Sequence, residues 1–216
     1  MDEDAGSIVV TVERKSGSDG EVTLSYTTGG GDAVAGSDYV DNDGTLTFGH
    51  GETSKTITIL INGNNDEDGD RTFDVTIAAP SAGTLGSPTS ATVTIEDNDS
   101  AGEFALEASS YTVDESAGSI VITVERTGGS DGEVTLNYTS GGGDAVAGTD
   151  YTDNDGTLTF GNGETSKTIT VVILDVAGVD GDKVFNVAIA SPSAGTLGTP
   201  SSAAVTIEDN DTAGVF

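Results

Sequence analysis

An internal duplication limits what this chain can fold into more than any other feature. Residues 1–99 align without a gap onto residues 113–211, and 73 of those 99 positions are identical. Ala5-Gly6-Ser7-Ile8-Val9 returns as Ala117-Gly118-Ser119-Ile120-Val121, and Ile95-Glu96-Asp97-Asn98-Asp99 returns as Ile207-Glu208-Asp209-Asn210-Asp211. The offset of 112 residues is too long for a solenoid, whose stacked units run about 20–50 residues. It suits independent domains in tandem: one over 1–99, a second over 100–211, and the start of a next repeat over 212–216. Thr212-Ala213-Gly214-Val215-Phe216 echoes Ser100-Ala101-Gly102-Glu103-Phe104, and the first copy lacks the leading dozen residues of the second. The sequence therefore reads as a piece of a longer array.

Within each copy the apolar period is two. Ser119 to Glu125, Glu133 to Tyr138, Gly156 to Phe160, Lys167 to Ile173, Val184 to Ile189 and Ala203 to Ile207 alternate apolar and polar side chains, with Gly, Asp and Asn between them. Such segments, rich in Val, Ile, Thr, Tyr and Phe, read as half-buried strands. No stretch of 10–12 residues carries an apolar 3.6 period, so no helix is expected. With Phe104 to Val113 as an opening strand, each full copy has about seven strands, and the first copy lacks that opener. The fold class is all-β: two tandem immunoglobulin-like antiparallel sandwiches.

If each strand runs opposite to the one before, the connections after the first, third and fifth strands and the exit from the seventh share one pole. Asp114, Glu115, Asp144, Asp150, Asp153, Asp155, Asp175, Asp180, Asp182, Asp209 and Asp211 then gather there, against Asp131, Glu133 and Glu164 at the other. Carboxylates within about 10 Å of one another repel, and many modest pairs sum. A hard divalent cation offsets this, because Ca²⁺ takes six to eight oxygen ligands at about 2.3–2.6 Å. One His and no Cys leave little for a softer metal. The competing reading is that acidic turns only solvate loops, since Asp and Asn favour turns.

The overall charge narrows the partners. Seven basic against 37 acidic residues give −30 at pH 7, which excludes nucleic acid and an anionic membrane surface. The longest apolar runs, such as Val171 to Leu174, fall far short of the roughly 18 residues that span a bilayer, and no direct membrane insertion is expected. Met1 is followed by Asp2, Glu3 and Asp4, which is no signal peptide, so the chain reads as intracellular or as cut from a longer exported protein. Absent cysteines exclude a disulfide framework and a thiol nucleophile. Charged residues make up only 20% of the chain, and its apolar residues are concentrated in alternating segments, so disorder is rejected.

Asp114-Glu115-Ser116-Ala117-Gly118, Ala147-Gly148-Thr149-Asp150-Tyr151, Gly156-Thr157-Leu158-Thr159-Phe160 with Gly163-Glu164-Thr165, and the closing Val205 to Asp211 together resemble a Calx-β domain. The resemblance covers both copies. It implies a sandwich of the kind found in sodium/calcium exchangers and in large extracellular and bacterial surface proteins. It also implies a Ca²⁺ cluster at the pole facing the next domain. The ligands it implies are Glu115, Asp150, Asp175, Asp180, Asp182, Asp209 and Asp211, with Glu3, Asp38, Asp97 and Asp99 as their counterparts. The connection after the fifth strand departs from the family's continuous acidic run: copy two reads Asp175-Val176-Ala177-Gly178-Val179-Asp180-Gly181-Asp182-Lys183, and copy one reads Asn62 to Arg71. The two sites are expected to differ in affinity or stoichiometry, with one or two ions each, and Lys183 and Arg71 can stand in as fixed internal cations. Asn64-x-Asp66-x-Asp68-Gly69 imitates the start of an EF-hand, but its twelfth position is Val75 rather than Glu. Asp66 and Asp68 remain candidate oxygen donors for copy one.

The other candidates are bland. His50, replaced by Asn162 in the repeat, reads as a turn residue. Gly29-Gly30-Gly31-Asp32 precedes no helix that could hold phosphate. Ser191-Pro192-Ser193 has no His to activate a hydroxyl. Tyr26, Tyr39, Phe48 and Phe73 read as packing. No acid–base pair, nucleophile or cofactor fingerprint emerges, so an enzyme is not expected. The leading expectation is a calcium-binding structural repeat of a secreted or cell-surface protein, in which the cation rigidifies the joint to neighbouring repeats of the same chain. The alternatives are an adhesin domain with an unknown carbohydrate or protein ligand, and a calcium-sensing module of a membrane transporter. Near-identical neighbours also invite strand exchange with another copy.

Overall fold

The computed structural model describes Met1–Val215 in two compact units: Met1–Asn64 with Asp68–Asn98, and Asn65–Glu67 with the residues described from Asp99 on. In the first unit, β1 (Ser7–Glu13) pairs antiparallel with β4 (Ser54–Leu60). β3 (Gly44–Phe48), β2 (Val22–Gly29), β5 (Arg71–Ala78) and β6 (Ser90–Ile95) form a second sheet in that order. The alternation that marks β4 as a strand puts Ile57 and Ile59 inside with Phe48, Phe73 and Tyr39, whose ring stacks on Phe73 at 4.2 Å.

The second unit has β7 (Glu103–Leu106), β8 (Ser110–Asp114), β9 (Ser119–Thr127), β10 (Val134–Gly141), β11 (Gly156–Phe160), β12 (Ser166–Val172), β13 (Lys183–Ala190), β14 (Thr196–Leu197) and β15 (Ser202–Glu208). One sheet runs β12-β9-β7-β14, the other β11-β10-β13-β15-β8. Between the sheets lie Ile122, Val124, Phe160, Phe185 and Val187, all at 1% exposure or less, and Tyr151 stacks on Phe185 at 4.3 Å. Each such side chain contributes about 1.5–3 kcal/mol by leaving water. Tyr138 lies over Gly156, its cross-strand partner, so close that a Cβ there would sit 2.7 Å from the phenol oxygen.

The architecture is the expected all-β sandwich pair, with three differences in detail. The opening strand of the second unit breaks in two. β7 pairs antiparallel with β9 in one sheet, while β8 crosses to the other and pairs parallel with β15. Ladder pairing is therefore not purely antiparallel, and nine strands stand where about seven are expected. A single 3-10 turn, absent from the sequence expectation, follows β8 at Glu115–Ala117 and recurs at Glu3–Ala5. The first unit lacks a β7, as expected, and keeps of β8 only the parallel bridge of Asp2 to Glu96.

Candidate metal centre

The short turn after β8 aims a carboxylate inward. Asp114 caps it, its Oδ1 accepting from the Ser116 amide at 2.9 Å, and Gly118 ends it in the left-handed region at φ 75°, which a side chain would strain. The Ser116 hydroxyl and amide, with the Asn210 side chain, hold the Asp114 carboxyl below its usual range. The reversal leaves Glu115 only 4% exposed, with Oε1 accepting from the Asn210 amide at 3.2 Å.

Because β8 and β15 run parallel, β15 delivers its own acidic run to the same pole. Asp209 Oδ2 accepts from the amides of Gly181 (2.7 Å) and Asp180 (2.9 Å), and Oδ1 accepts from the Asp211 amide (2.9 Å). The Gly181 and Asp211 amides, with smaller help from Asp180 and the Lys183 charge, lower the Asp209 carboxyl below its ordinary value against the desolvation that raises it. Asp211 accepts from the Gly178 amide. Glu115, Asp209 and Asp211 each offer an oxygen within 4.8 Å of the others.

Asp150 and Asp180 line the same concavity as Glu115 and Asp209, together with Leu174, Val176, Ile207 and Lys183. Asp150 is 6% exposed and anchors its own loop through the Val146 amide at 2.6 Å. Lys183 sits at the rim, donating to the Asp180 carbonyl at 2.8 Å. Two other candidate ligands stand apart from the lining: Asp175 is exposed, and Asp182 is spent on the Asp209 amide at 3.1 Å.

The first unit repeats the plan with a different internal cation. Glu3, in its own turn behind the Asp2 cap, is 4% exposed and accepts from the Asn64 amide and side chain at 3.3 and 3.2 Å. Asp97 accepts from the Gly69 amide at 2.7 Å. Asp38 and Asp68 line the concavity with Glu3 and Asp97, and Arg71 lies between them, 2.8 Å from Asp68 and 4.0 Å from Asp38. Asp68 raises the Arg71 pKa by hydrogen bond and charge. Asp99, counterpart of Asp211, lies just past the last residue of the first unit, and Asp66 lies in segment 65–67; both belong with the second unit. The sequence reading missed Asp70, which holds the Asp97 amide at 3.1 Å, and Asn64, although Asp70 is detectable as the counterpart of Asp182. His50 is a turn residue, accepting from the Gly20 amide at 3.2 Å.

The donor set is all oxygen and all hard. Three carboxylate oxygens within 4.8 Å of one another fit around one ion whose ligand distances are about 2.3–2.6 Å, and further oxygens lie nearby on Asp150 and Asp180. The residues present therefore suit Ca²⁺, which would supply the positive charge that the cluster otherwise draws from backbone amides and Lys183.

Residues 1–99 and 97–211 each match the Calx-beta domain. The chain belongs to the Calx-beta domain family. Sodium/calcium exchanger 1 of Bos taurus is 35% identical over 210 residues, and sodium/calcium exchanger 3 of Homo sapiens is 33% identical over 213. Each match covers 88% of this chain but only 22% and 23% of the exchangers, so these tandem Calx-beta domains span about a fifth of the length of those relatives. The crystal structure of the calcium binding domain CBD12 of CALX1.1 is similar across 94% of both chains, at TM-score 0.50 and 26% identity. These relatives do not support the secreted or surface-adhesive parent expected above; the transporter alternative accords with them better. Among the described residues, no helix is long and apolar enough to cross a membrane.

Proposed function

We propose that this Calx-beta pair is a Ca²⁺-responsive module of a larger ion-transporting protein, binding the cation at the acidic pole of each unit. The observation that carries the reading is the meeting of buried Glu115 with Asp209 and Asp211, from the two ends of one unit, at a spacing that one ion can bridge. The exchanger relatives supply the transport context.

Each residue has a stated task. Glu115 and Asp150 are fixed by backbone amides and present carboxylates to the concavity. Asp209 and Asp211 hold the loop of Gly178–Gly181 by its amides, so a cation that draws their oxygens changes how that loop is held. Lys183 and Arg71 keep the cation-free pole from flying apart and compete with the incoming charge. The module has a binding rather than a catalytic role. What supports that role is a cluster made of carboxylate oxygens, the hard donors that suit a divalent cation.

The test is calorimetric titration of Ca²⁺ into metal-stripped chain. Saturable heat, with loss of the second unit's share in Glu115→Gln, is expected; a flat titration overturns the reading. A second reading, a structural repeat of an exported protein, is favoured by one observation: 73 identities in 99 positions between the copies. If scattering profiles of the chain differ between Ca²⁺ and chelator but no transporter segment adjoins it in the parent sequence, that reading prevails.

A further inference from the structure

Asn-Gly occurs twice in the chain, and the duplication copies neither occurrence. Asn62-Gly63 of the first unit aligns with Leu174-Asp175, and Asn162-Gly163 of the second aligns with His50-Gly51. The dipeptide carries a reaction of its own: the glycine amide nitrogen, with no Cβ beside it to block the approach, can attack the carbonyl carbon of the preceding side chain. A hydrogen bond held by either group must be given up before the two can meet.

The two occurrences differ in that respect. In the second unit both groups are engaged. The Gly163 amide donates to the Ser130 carbonyl at 2.7 Å, and Asn162 Oδ1 accepts from the Gly132 amide at 3.2 Å. In the first unit Asn62 follows the bridge of Ile61 to Tyr39, and its own amide donates to the Asp38 carbonyl at 3.0 Å. Its carboxamide and the exposed Gly63 amide are a different matter: among the described residues, no hydrogen bond engages either. Glycine is also required there, since a Cβ at position 63 would lie 2.5 Å from Asp4 Oδ1. Asn62 lines the first unit's concavity with Glu3, Asp38, Asp68, Arg71 and Asp97.

We propose that Asn62 is a self-modification site, deamidated by its own neighbour. A bond forms between the Gly63 nitrogen and Asn62 Cγ. The side-chain NH2 departs with the Gly63 amide proton as ammonia and leaves a five-membered succinimide. Water opens that ring at one carbonyl or the other, giving aspartate or its isoaspartyl isomer. One water is consumed, one ammonia is released, and nothing is oxidised or reduced. The first unit's concavity thereby gains a negative charge where the second has Leu174, and the change is one-way. Its effect on the cation rests on the calcium reading above; the modification itself does not.

The test incubates the whole 216-residue chain in warm neutral buffer and follows each Asn-Gly site by peptide mass spectrometry. Asn62 should convert at least tenfold faster than Asn162. In urea the two rates should converge, because unfolding frees Asn162 and Gly163 from their bonds. A chain carrying Asn62→Gln should show no conversion at position 62, its ring being one atom larger and far slower to close. Equal rates in the folded chain, faster conversion at Asn162, or a gap that persists in urea would each overturn the proposal. Asn62→Asp, which fixes one product, should tighten Ca²⁺ binding at the first unit several-fold in calorimetry and leave the second unchanged. Unchanged affinity at the first unit would overturn the effect on the cation, whereas a native chain that takes up no Ca²⁺ at all would strike the calcium reading and leave the mass result standing.

Discussion

Lys183 holds its ammonium 2.8 Å from the carbonyl and 3.8 Å from the carboxylate of Asp180, the residue three positions before it. This places one positive charge at the lip of a concavity otherwise ringed by Glu115, Asp150, Asp180 and Asp209. Replacing it with a neutral residue of similar length, Lys183→Met, should lower the melting temperature in chelator by a few degrees. The same change should tighten Ca²⁺ binding several-fold, because a partly exposed charge about 4 Å away acts through a high effective dielectric. Paired calorimetry and thermal melts of the variant check both signs.

Arg71 plays the equivalent part in the first unit against Asp68 and Asp38. Arg71→Met should shift only the first unit's Ca²⁺ affinity upward. Its apparent cost in chelator should exceed that of Lys183→Met, because Arg71 bonds its carboxylate side chain directly at 2.8 Å. Differential melting of the two variants side by side reads this out.

Glu115→Gln keeps the shape of the turn and removes a buried charge. Ca²⁺ binding at the second unit should weaken at least tenfold, equivalent to about 1.4 kcal/mol. Stability without the ion should hold or rise, since repulsion is relieved. Calorimetric titration beside urea unfolding separates the two effects.

Asp209 fixes a pH window. Its folded carboxyl titrates below the usual Asp value because the Gly181, Asp211 and Asp180 amides and the Lys183 charge favour the ionised form. The folded state therefore holds the Asp209 proton less well than the unfolded chain, so its contribution to stability is full above about pH 5, a unit above the unfolded Asp value. It is lost as the pH falls through the lower folded value. The melting-temperature gap between the native chain and Asp209→Asn should be constant from neutral pH to about pH 5, then close on further acidification.

The close approach of Tyr138 to Gly156 predicts a packing effect with no electrostatic part. Gly156→Ala should destabilise the second unit by about 1–3 kcal/mol, as overpacking does. Part of that loss should return in the double variant with Tyr138→Ala. Urea unfolding of the three variants forms the cycle that checks it.

The sandwich was legible because Val, Ile and Thr alternate over segments such as Lys167 to Ile173, and the two copies fix the boundaries of each other's strands. The gathering of acids at one pole followed from counting strand directions. What escaped was local. Ala108 and Ser109, where β7 gives way to β8, carry no pattern that marks a crossing from one sheet to the other. The 3-10 turn at Glu115 is three residues long, too short to leave a period. Arg126 stands just beyond the alternating segment Ser119 to Glu125, and only the carbonyls converging on it from Ala101, Asp131 and Gly132 show why it is buried. Asp175 and Asp182, named by resemblance, lie off the concavity, Asp175 exposed and Asp182 accepting from the Asp209 amide.

The parallel seating of β8 beside β15 brings Glu115 within reach of residues 95 positions further along the chain. In a protein without cysteine, an ion shared by Glu115 and Asp209 would act as a removable staple, closing nearly the whole second unit into one ring. A covalent ring of about 100 residues is worth up to roughly 4–5 kcal/mol in the chain-entropy picture. Rising and falling metal concentration would thereby decide how easily β8 and β15 of the second unit can be peeled apart.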